Sequence, residues 1–325
     1  MRGRRLGAGG EGLPLLTRAD LPAMPPEIID PTSVFNPGAA TVDSATVLLL
    51  RVQTRGRRTY LVPARLTEGP AVACAGRPSE LRGLASLDLE VFHVYDPRLT
   101  VLDGRLLVVT ALDTDHGGRL ALWHAAGDRG AGFAGLERLE LIGLVARQDT
   151  RNGVLFPARI GGRYALLERP NRAAPPGGPP TGSVITLQVS DDLERWEPAG
   201  EVMAGRPRYW DELIGAGPPP VPTARGWLLV YHGVATHFAA ANVYQAGCAL
   251  LDRDDPTRVL ARGGDNVLEP REPWELTGQV PNVVFPSGLV VAADGTAHLF
   301  YGAADTCVGL LATTLDELVA ACGAP

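Results

Sequence analysis

Asp96 stands in the string Val94-Tyr95-Asp96-Pro97-Arg98-Leu99-Thr100, a carboxyl fixed by the rigid proline that follows and two residues from a guanidinium. Such a group can hand a proton to a departing oxygen, or it can close a turn and pair with Arg98. Arg51, Arg98, Arg151 and Arg169 each carry a planar fork that holds two phosphate oxygens or two sugar hydroxyls in a set orientation; each can equally pair with a nearby carboxylate. Glu168, directly before Arg169, is an acid beside that cation and can orient a water. Asn36, Asp211 and Asp305 offer hydroxyl-binding groups or turn caps, and Trp210, Tyr244 and Trp274 offer flat faces for a sugar ring or bulk for a core. His232, in Tyr231-His232-Gly233-Val234, fits a phosphate or hydroxyl donor and equally a satisfied core histidine. Cys74, Cys248, Cys307 and Cys322 lack CxxC spacing, so neither a zinc site nor a disulfide framework is expected.

The elements that must position these residues are strands. Four segments place a glycine turn before a short apolar strand: Asp103-Gly104 to Val109, Gly161-Gly162 to Leu167, Arg225-Gly226 to Tyr231 and Asp294-Gly295 to Phe300. A fifth copy, Asp43-Ser44 to Arg51, lacks the glycine. From Ser44 through Gly104, Gly162, Gly226 and Gly295 the intervals are 60, 58, 64 and 69 residues, the length of a four-stranded blade with generous loops. Five repeats predict an all-β, five-bladed β-propeller; chance recurrence of hairpins in a β-sandwich is the alternative. Each copy ends in a polar group: Arg51, Thr110 with Asp113, Arg169, His232 and Asp305. If these strands are the innermost of each blade, their ends converge on one mouth of the central channel. Thr314 to Cys322 reads as a short C-terminal helix, and Ala173 to Gly182 as a loop inside a single domain spanning 1–325, with 1–30 a partly irregular extension.

Gly and Pro, 39 and 28 of the 325 residues, favour short strands and tight turns, and 45% hydrophobic residues supply a core. A net charge of -6 with no basic block beyond Arg2 to Arg5 argues against nucleic acid. No apolar run is long enough for a membrane span, and no apolar stretch follows the basic start as a secretory signal requires. A cytoplasmic protein with reduced thiols is expected.

Six strings, among them Phe35-Asn36-Pro37-Gly38, Asp96-Pro97-Arg98, Asp149-Thr150-Arg151-Asn152-Gly153, Glu168-Arg169-Pro170, Gly215-Ala216-Gly217-Pro218 and Pro281-Asn282-Val283-Val284-Phe285-Pro286 before Asp305, follow one another in an order that resembles glycoside hydrolase family 130 from about Phe35 to Leu318. That family comprises β-mannoside phosphorylases and β-mannosidases on a five-bladed propeller. The resemblance implies that Asp96 is the sole general acid, delivering its proton through the 3-hydroxyl of the bound mannosyl unit. Such an acid must stay protonated near neutral pH, so burial is expected to outweigh the cations around it. Arg51, Arg151 and Arg169, with His232, are implied for phosphate; Asn36, Arg98 and Asp305 for the mannosyl unit; Asp211, Trp210 and Tyr244 for a neighbouring subsite. Tyr95 stands where many members carry Glu, Arg151 where many carry Lys, and Glu168 where many carry His.

Three functions follow. Phosphorolysis needs inorganic phosphate as co-substrate, no other cofactor and no base, and gives α-mannose 1-phosphate with inversion. Hydrolysis needs a base to activate water, and Glu168 is the candidate. A non-catalytic propeller that binds carbohydrate or protein is the third. The expected partners are a β-mannoside oligosaccharide and phosphate, with neither nucleic acid nor membrane, and a homo-oligomer is admitted.

Overall fold

Five sheets succeed one another along the chain in a computed structural model that describes residues 3–126, 132–146, 148–172, 182–237 and 241–323. Blade I comprises Pro31–Val42, Ala45–Thr54, Thr59–Leu66 and Val72–Cys74; blade II comprises Val91–Leu102, Arg105–Thr114, Gly117–Ala125 and Arg138–Leu144, with Glu80–Arg82 parallel on its outer edge. Blade III comprises Thr150–Leu155, Tyr164–Pro170, Val184–Ser190 and Trp196–Ala204. In blade IV, Leu213–Ala216 and Val221–Thr223 both pair with Gly226–Ala235, followed by Val243–Leu251 and Val259–Arg262. Blade V comprises Val284–Val291, Thr296–Ala303 and Cys307–Thr314 and is finished by Arg4–Gly7 and Gly10–Glu11 from the other end of the chain.

The first strands of blades I to IV touch in succession, and the first strand of blade V touches both blade IV and blade I. The innermost strand is therefore the one before each repeated turn, and the glycine-turn strand predicted as innermost is the second of its blade. The repeat itself is real. Its turns need backbone of positive φ, which Asp43 and Ser44 (48° and 65°), Asp103 and Gly104 (51° and 71°) and Gly161 and Gly162 (57° and 84°) all supply, matching the twist of a two-residue hairpin.

Burial falls between blades rather than at one centre. Five clusters sit at the five junctions; Leu48, Leu50 and Val52 of blade I meet Phe300 and Leu310 of blade V, and Leu107 and Val109 of blade II meet Leu155 and Leu166 of blade III. Each fully buried Leu of this kind is worth about 2 kcal/mol, so every blade is held by both neighbours. The helix Leu315–Ala321 is capped by Thr314, whose hydroxyl accepts from Glu317 N at 3.2 Å, and it buries Leu318 against blades IV and V. The N-terminal strand seals the ring: Arg5 donates to buried Glu275 at 2.7 and 3.1 Å, and Tyr301 donates to the same carboxylate at 2.7 Å. The expected loop Ala173 to Gly182 falls, up to residue 181, outside the described residues. No described helix is long and apolar enough to cross a membrane.

Candidate active site

Three inner strands carry the same irregularity at the same height. In blade I, Phe35 pairs with Arg51 and Gly38 with Leu49, so Asn36 and Pro37 face Leu50 alone. In blade II, Asp96 and Pro97 likewise face Thr110, and in blade III Asn152 and Gly153 face Glu168. Each is a β-bulge whose first extra residue is left-handed: Asn36 at φ 46°, Asp96 at 52° and Asn152 at 55°. Asn and Asp are the side-chain-bearing residues that tolerate this backbone best, and a bulge re-aims the side chain it carries. All three side chains line one cavity of about 650 Å³ at the channel mouth, with Arg51, Arg151, Arg169, His232, Tyr244 and Asp305.

Asp96 is gripped on one oxygen. Asn36 Nδ2 donates to its Oδ1 at 2.9 Å and Arg51 Nη1 at 2.8 Å. The Arg51 guanidinium lies 4.5 Å from the centroid of the Phe35 ring and 4.8 Å from that of Tyr95, so two aromatic faces fix it. Burial pushes the Asp96 carboxyl up, but the Arg51 and Arg98 charges and the bonds from Asn36 and Arg51 outweigh it and hold the pKa below the usual range. The expectation that burial would win is therefore corrected: the acid is ionised in the free chain. Arg98 does not reach the cavity. It is buried behind the bulge, donating from Nη1 to the Asp96 and Pro97 carbonyls at 3.1 and 3.2 Å and from Nε to Gly217 O of blade IV at 2.6 Å, and burial lowers its pKa to about 10. Asp305 follows Ala304 in a turn where both are left-handed, at 49° and 47°, and its carboxyl is pushed up to about 6 by burial, with Arg51 lowering it and Asp96 raising it.

The facing wall is cationic. Arg151 and Arg169 are direct cross-strand partners, an arrangement that like charges disfavour. No carboxylate pairs with either among the described residues, and the Nε of each is buried without a partner. Burial and then the Arg151 charge lower the Arg169 pKa, although Tyr244 raises it. Beside them His232 is buried with Nδ1 unpartnered, its pKa well below the ordinary value through burial and the Arg169 and Arg98 charges, so it stays neutral. Gly215 makes room here: a Cβ on it would collide with the His232 ring and lie 2.9 Å from Asn152 Oδ1. Two arginines without a carboxylate partner, one of them donating only to Asn171 Oδ1 at 3.2 Å, beside a neutral imidazole have the chemistry that suits an anion. No group of three or more His, Cys, Asp or Glu among the described residues could hold a metal ion.

Several sequence candidates lie elsewhere. Glu168 is fully buried but away from the channel, where Oε1 accepts from Gln188 Nε2 at 2.7 Å, Gln148 Nε2 at 2.8 Å and Thr186 Oγ1 at 3.4 Å. Adjacent strand residues face opposite sides, so with Arg169 turned into the channel Glu168 is turned out, and a water attacking there is beyond its reach. Asp211 is locked by Arg206 and Arg262, at 2.8 and 2.6 Å, and by the Tyr231 hydroxyl at 2.8 Å, inside blade IV. Trp210 stacks on Tyr231 with ring centroids 5.9 Å apart, and Trp274 on Tyr301 at 6.1 Å; neither lines the cavity. Arg51 lines it but binds the acid rather than standing with Arg151 and Arg169.

Residues 20–323 match the family model described as beta-1,4-mannooligosaccharide phosphorylase, nearly the whole chain. The chain belongs to glycoside hydrolase family 130. Within that family it is 41% identical over 171 residues to a beta-1,4-mannooligosaccharide phosphorylase of Ruminococcus albus, covering 52% of this chain and 49% of that one. It is 34% identical over 226 residues to a beta-1,2-mannobiose phosphorylase of Thermoanaerobacter, covering 68% and 67%. The matched stretch thus spans about half the length of the first relative and two thirds of the second. The fold is that of the Listeria innocua beta-1,2-mannobiose phosphorylase bound to beta-1,2-mannobiose, with a TM-score of 0.82 at 24% identity over 99% of both chains.

Sequence reasoning missed Asn152, Tyr95, Gln53 and Phe285, all of which line the cavity. Asn152 was within reach. It is the third of Asn36, Asp96 and Asn152, each one residue into a bulge of successive inner strands, and aligning the repeats on the inner rather than the second strand exposes it.

Proposed function

We propose that this family-130 chain is an inverting β-mannoside phosphorylase. The observation that carries the reading is the Arg151–Arg169 pair, opposite one another and free of carboxylates, beside neutral His232 and lining one cavity with Asp96. An inorganic phosphate at this wall removes the like-charge conflict and supplies a nucleophile that needs no base. A phosphate oxygen attacks the mannosyl anomeric carbon as the bond from that carbon to the glycosidic oxygen breaks. The leaving oxygen takes a proton that originates on Asp96, relayed through the mannosyl 3-hydroxyl, and the products are α-mannose 1-phosphate and the shortened saccharide.

Asp96 must gain its proton on the way. A phosphate dianion nearby raises a carboxyl pKa, and a sugar hydroxyl that bonds Oδ1 in place of Arg51 or Asn36 does the same. Hydrolysis lacks an equivalent support, since Glu168 is walled off behind Gln148 and Gln188. A cytoplasmic location, in which the four free thiols stay reduced, belongs to the same reading.

The test is incubation with β-1,2- and β-1,4-linked mannobiose with and without phosphate, assaying mannose and mannose 1-phosphate. Phosphate-dependent mannose 1-phosphate is expected; free mannose formed at the same rate without phosphate overturns the proposal.

A further inference from the structure

Asp149 opens the string that carries Arg151 and Asn152, yet its side chain does not line the channel cavity. It stands just before Thr150–Leu155, the inner strand of blade III. Its Oδ1 accepts from the Gly118 N–H of blade II at 2.8 Å and from Asn171 Nδ2 at 2.6 Å. The Asn171 N–H donates to the Asp149 carbonyl at 2.9 Å, so backbone and side chain join the two residues at two points. The other end of the Asn171 amide meets the site: its Oδ1 accepts from Arg169 Nη2 at 3.2 Å. Gly117 and Gly118 leave room for this arrangement. A Cβ on Gly117 would lie 3.0 Å from Asp149 Cγ, and one on Gly118 would lie 3.0 Å from Asp149 Oδ1 and 3.2 Å from Arg151 Nε.

Elsewhere in the molecule a carboxylate this near an arginine pairs with it, as Asp211 does with Arg206 and Arg262. Here an amide is interposed. A carboxylate only accepts, so Asp149 fixes the NH2 end of Asn171 toward itself and thereby the carbonyl end toward Arg169. The guanidinium gains an oriented neutral acceptor on Nη2 and is not neutralised. Gly182 lies against Nη1, where a Cβ would come within 3.4 Å, and Nε has no partner. Burial, the largest influence, lowers the Arg169 pKa, and the Asp149 charge raises it less than Tyr244 or Tyr95 does. The carboxylate is thus felt mainly through the orientation it imposes on the amide.

Resting on the phosphorylase reading, we infer that Asn171 and Asp149 are positioning residues for phosphate. Asn171 aims Arg169 through its neutral carbonyl and keeps the Asp149 carboxylate one side chain away, so the guanidinium meets the anion with its charge uncompensated. Neither residue touches phosphate itself. What matters is the order of the two groups, amide inside and carboxylate outside; the reverse order would place a carboxylate on Arg169 and set a negative charge against the incoming dianion.

The test compares Asn171→Ala, Asn171→Asp and the exchange Asp149→Asn with Asn171→Asp against the parent chain, measuring phosphorolysis of β-mannobiose, melting temperature, and inorganic phosphate binding by calorimetry. Asn171→Ala removes the one hydrogen bond that orients Arg169 and should raise KM for phosphate about tenfold, with KM for the β-mannoside within about twofold. Asn171→Asp should raise KM and Kd for phosphate about a hundredfold and lower the melting temperature, because two carboxylates then share the place of one. The exchange keeps one amide and one carboxylate in reversed order. It should recover most of the melting temperature while KM for phosphate stays high, a split that a merely structural role would not give. Recovery of phosphate KM together with melting temperature in the exchange overturns the positioning role alone, as does a phosphate KM within about twofold of the parent in Asn171→Ala. A parent chain that neither binds phosphate nor makes mannose 1-phosphate from any β-mannoside overturns the phosphorylase reading and this inference with it.

Discussion

Asp96 and Asp305 both feel the Arg51 guanidinium, yet their protons are held in opposite senses. Asp96 has its pKa depressed below the ordinary 3.8, so its contribution to stability is present above about pH 4 and is lost as pH falls through the lower folded value. Asp305 is raised from 3.8 to about 6, so its favourable state is the protonated one, complete below pH 3.8 and lost as pH rises through 6. Asp305→Asn should therefore melt higher than the parent at pH 8, by on the order of 2 kcal/mol, and match it at pH 4; thermal scans at the two pH values check this. Asp96→Asn should lower kcat by about 10³ with little effect on phosphate binding, measured by turnover and calorimetry, as befits loss of a general acid. At the anion wall, Arg169→Gln relieves the conflict with Arg151, so it should hold or raise the melting temperature without phosphate and abolish the upward shift that phosphate gives the parent. That shift amounts to about 2.7 kcal/mol at a hundredfold excess over Kd.

Strands and turns set where these groups point. The bulges at Asn36, Asp96 and Asn152 turn three blades' inner strands toward the channel, and each relies on a residue type at ease in left-handed backbone. Ser44 is not such a type, and at φ 65° it carries the strain that Gly104 avoids in blade II. Ser44→Gly should stabilise the chain by about 1 kcal/mol without touching activity, as chemical denaturation would report. Gly215→Ala works the other way, forcing His232 and Asn152 aside. Phosphate KM should rise well before stability falls to the point of unfolding. The five hairpins were legible because their turn chemistry is local, two residues deciding each. Which strand of the blade lies innermost was not, since the second strands are if anything the more apolar and only the packing of blade on blade shows that the first strands face the channel.

At the scale of the molecule, the ring is closed by a strand from the far end of the chain and an ion pair beneath it. Arg5 joins Glu275, which is completely buried and also holds Tyr301. Arg5→Ala leaves that charge unpaired and should cost about 3–5 kcal/mol, seen as a drop in the denaturation midpoint, whereas replacing exposed Arg4 should cost little. The 1–30 extension, expected to be partly irregular, therefore contains the strand that completes blade V. Nothing in Arg4-Arg5-Leu6-Gly7 announces this, because its partner Cys307–Thr314 lies about three hundred residues away.

Five blades were readable from turn pairs at blade-length intervals, and Asp96, Asn36, Arg151, Arg169, His232 and Asp305, picked out from the chain alone, do line one cavity. Which neighbours of those residues face the channel depends on how the strands pair and the blades pack. Glu168 and Arg169 are adjacent in the chain and point to opposite sides, and Arg98, two residues from Asp96, supports the bulge from behind. Facing is set by register and bulge, and a one-residue shift reverses every side chain in a strand. It is likewise the folded arrangement that leaves Arg151 and Arg169 without carboxylates while giving Asp211 two arginines, for charge pairing is a matter of distance in space and the chain order does not fix it.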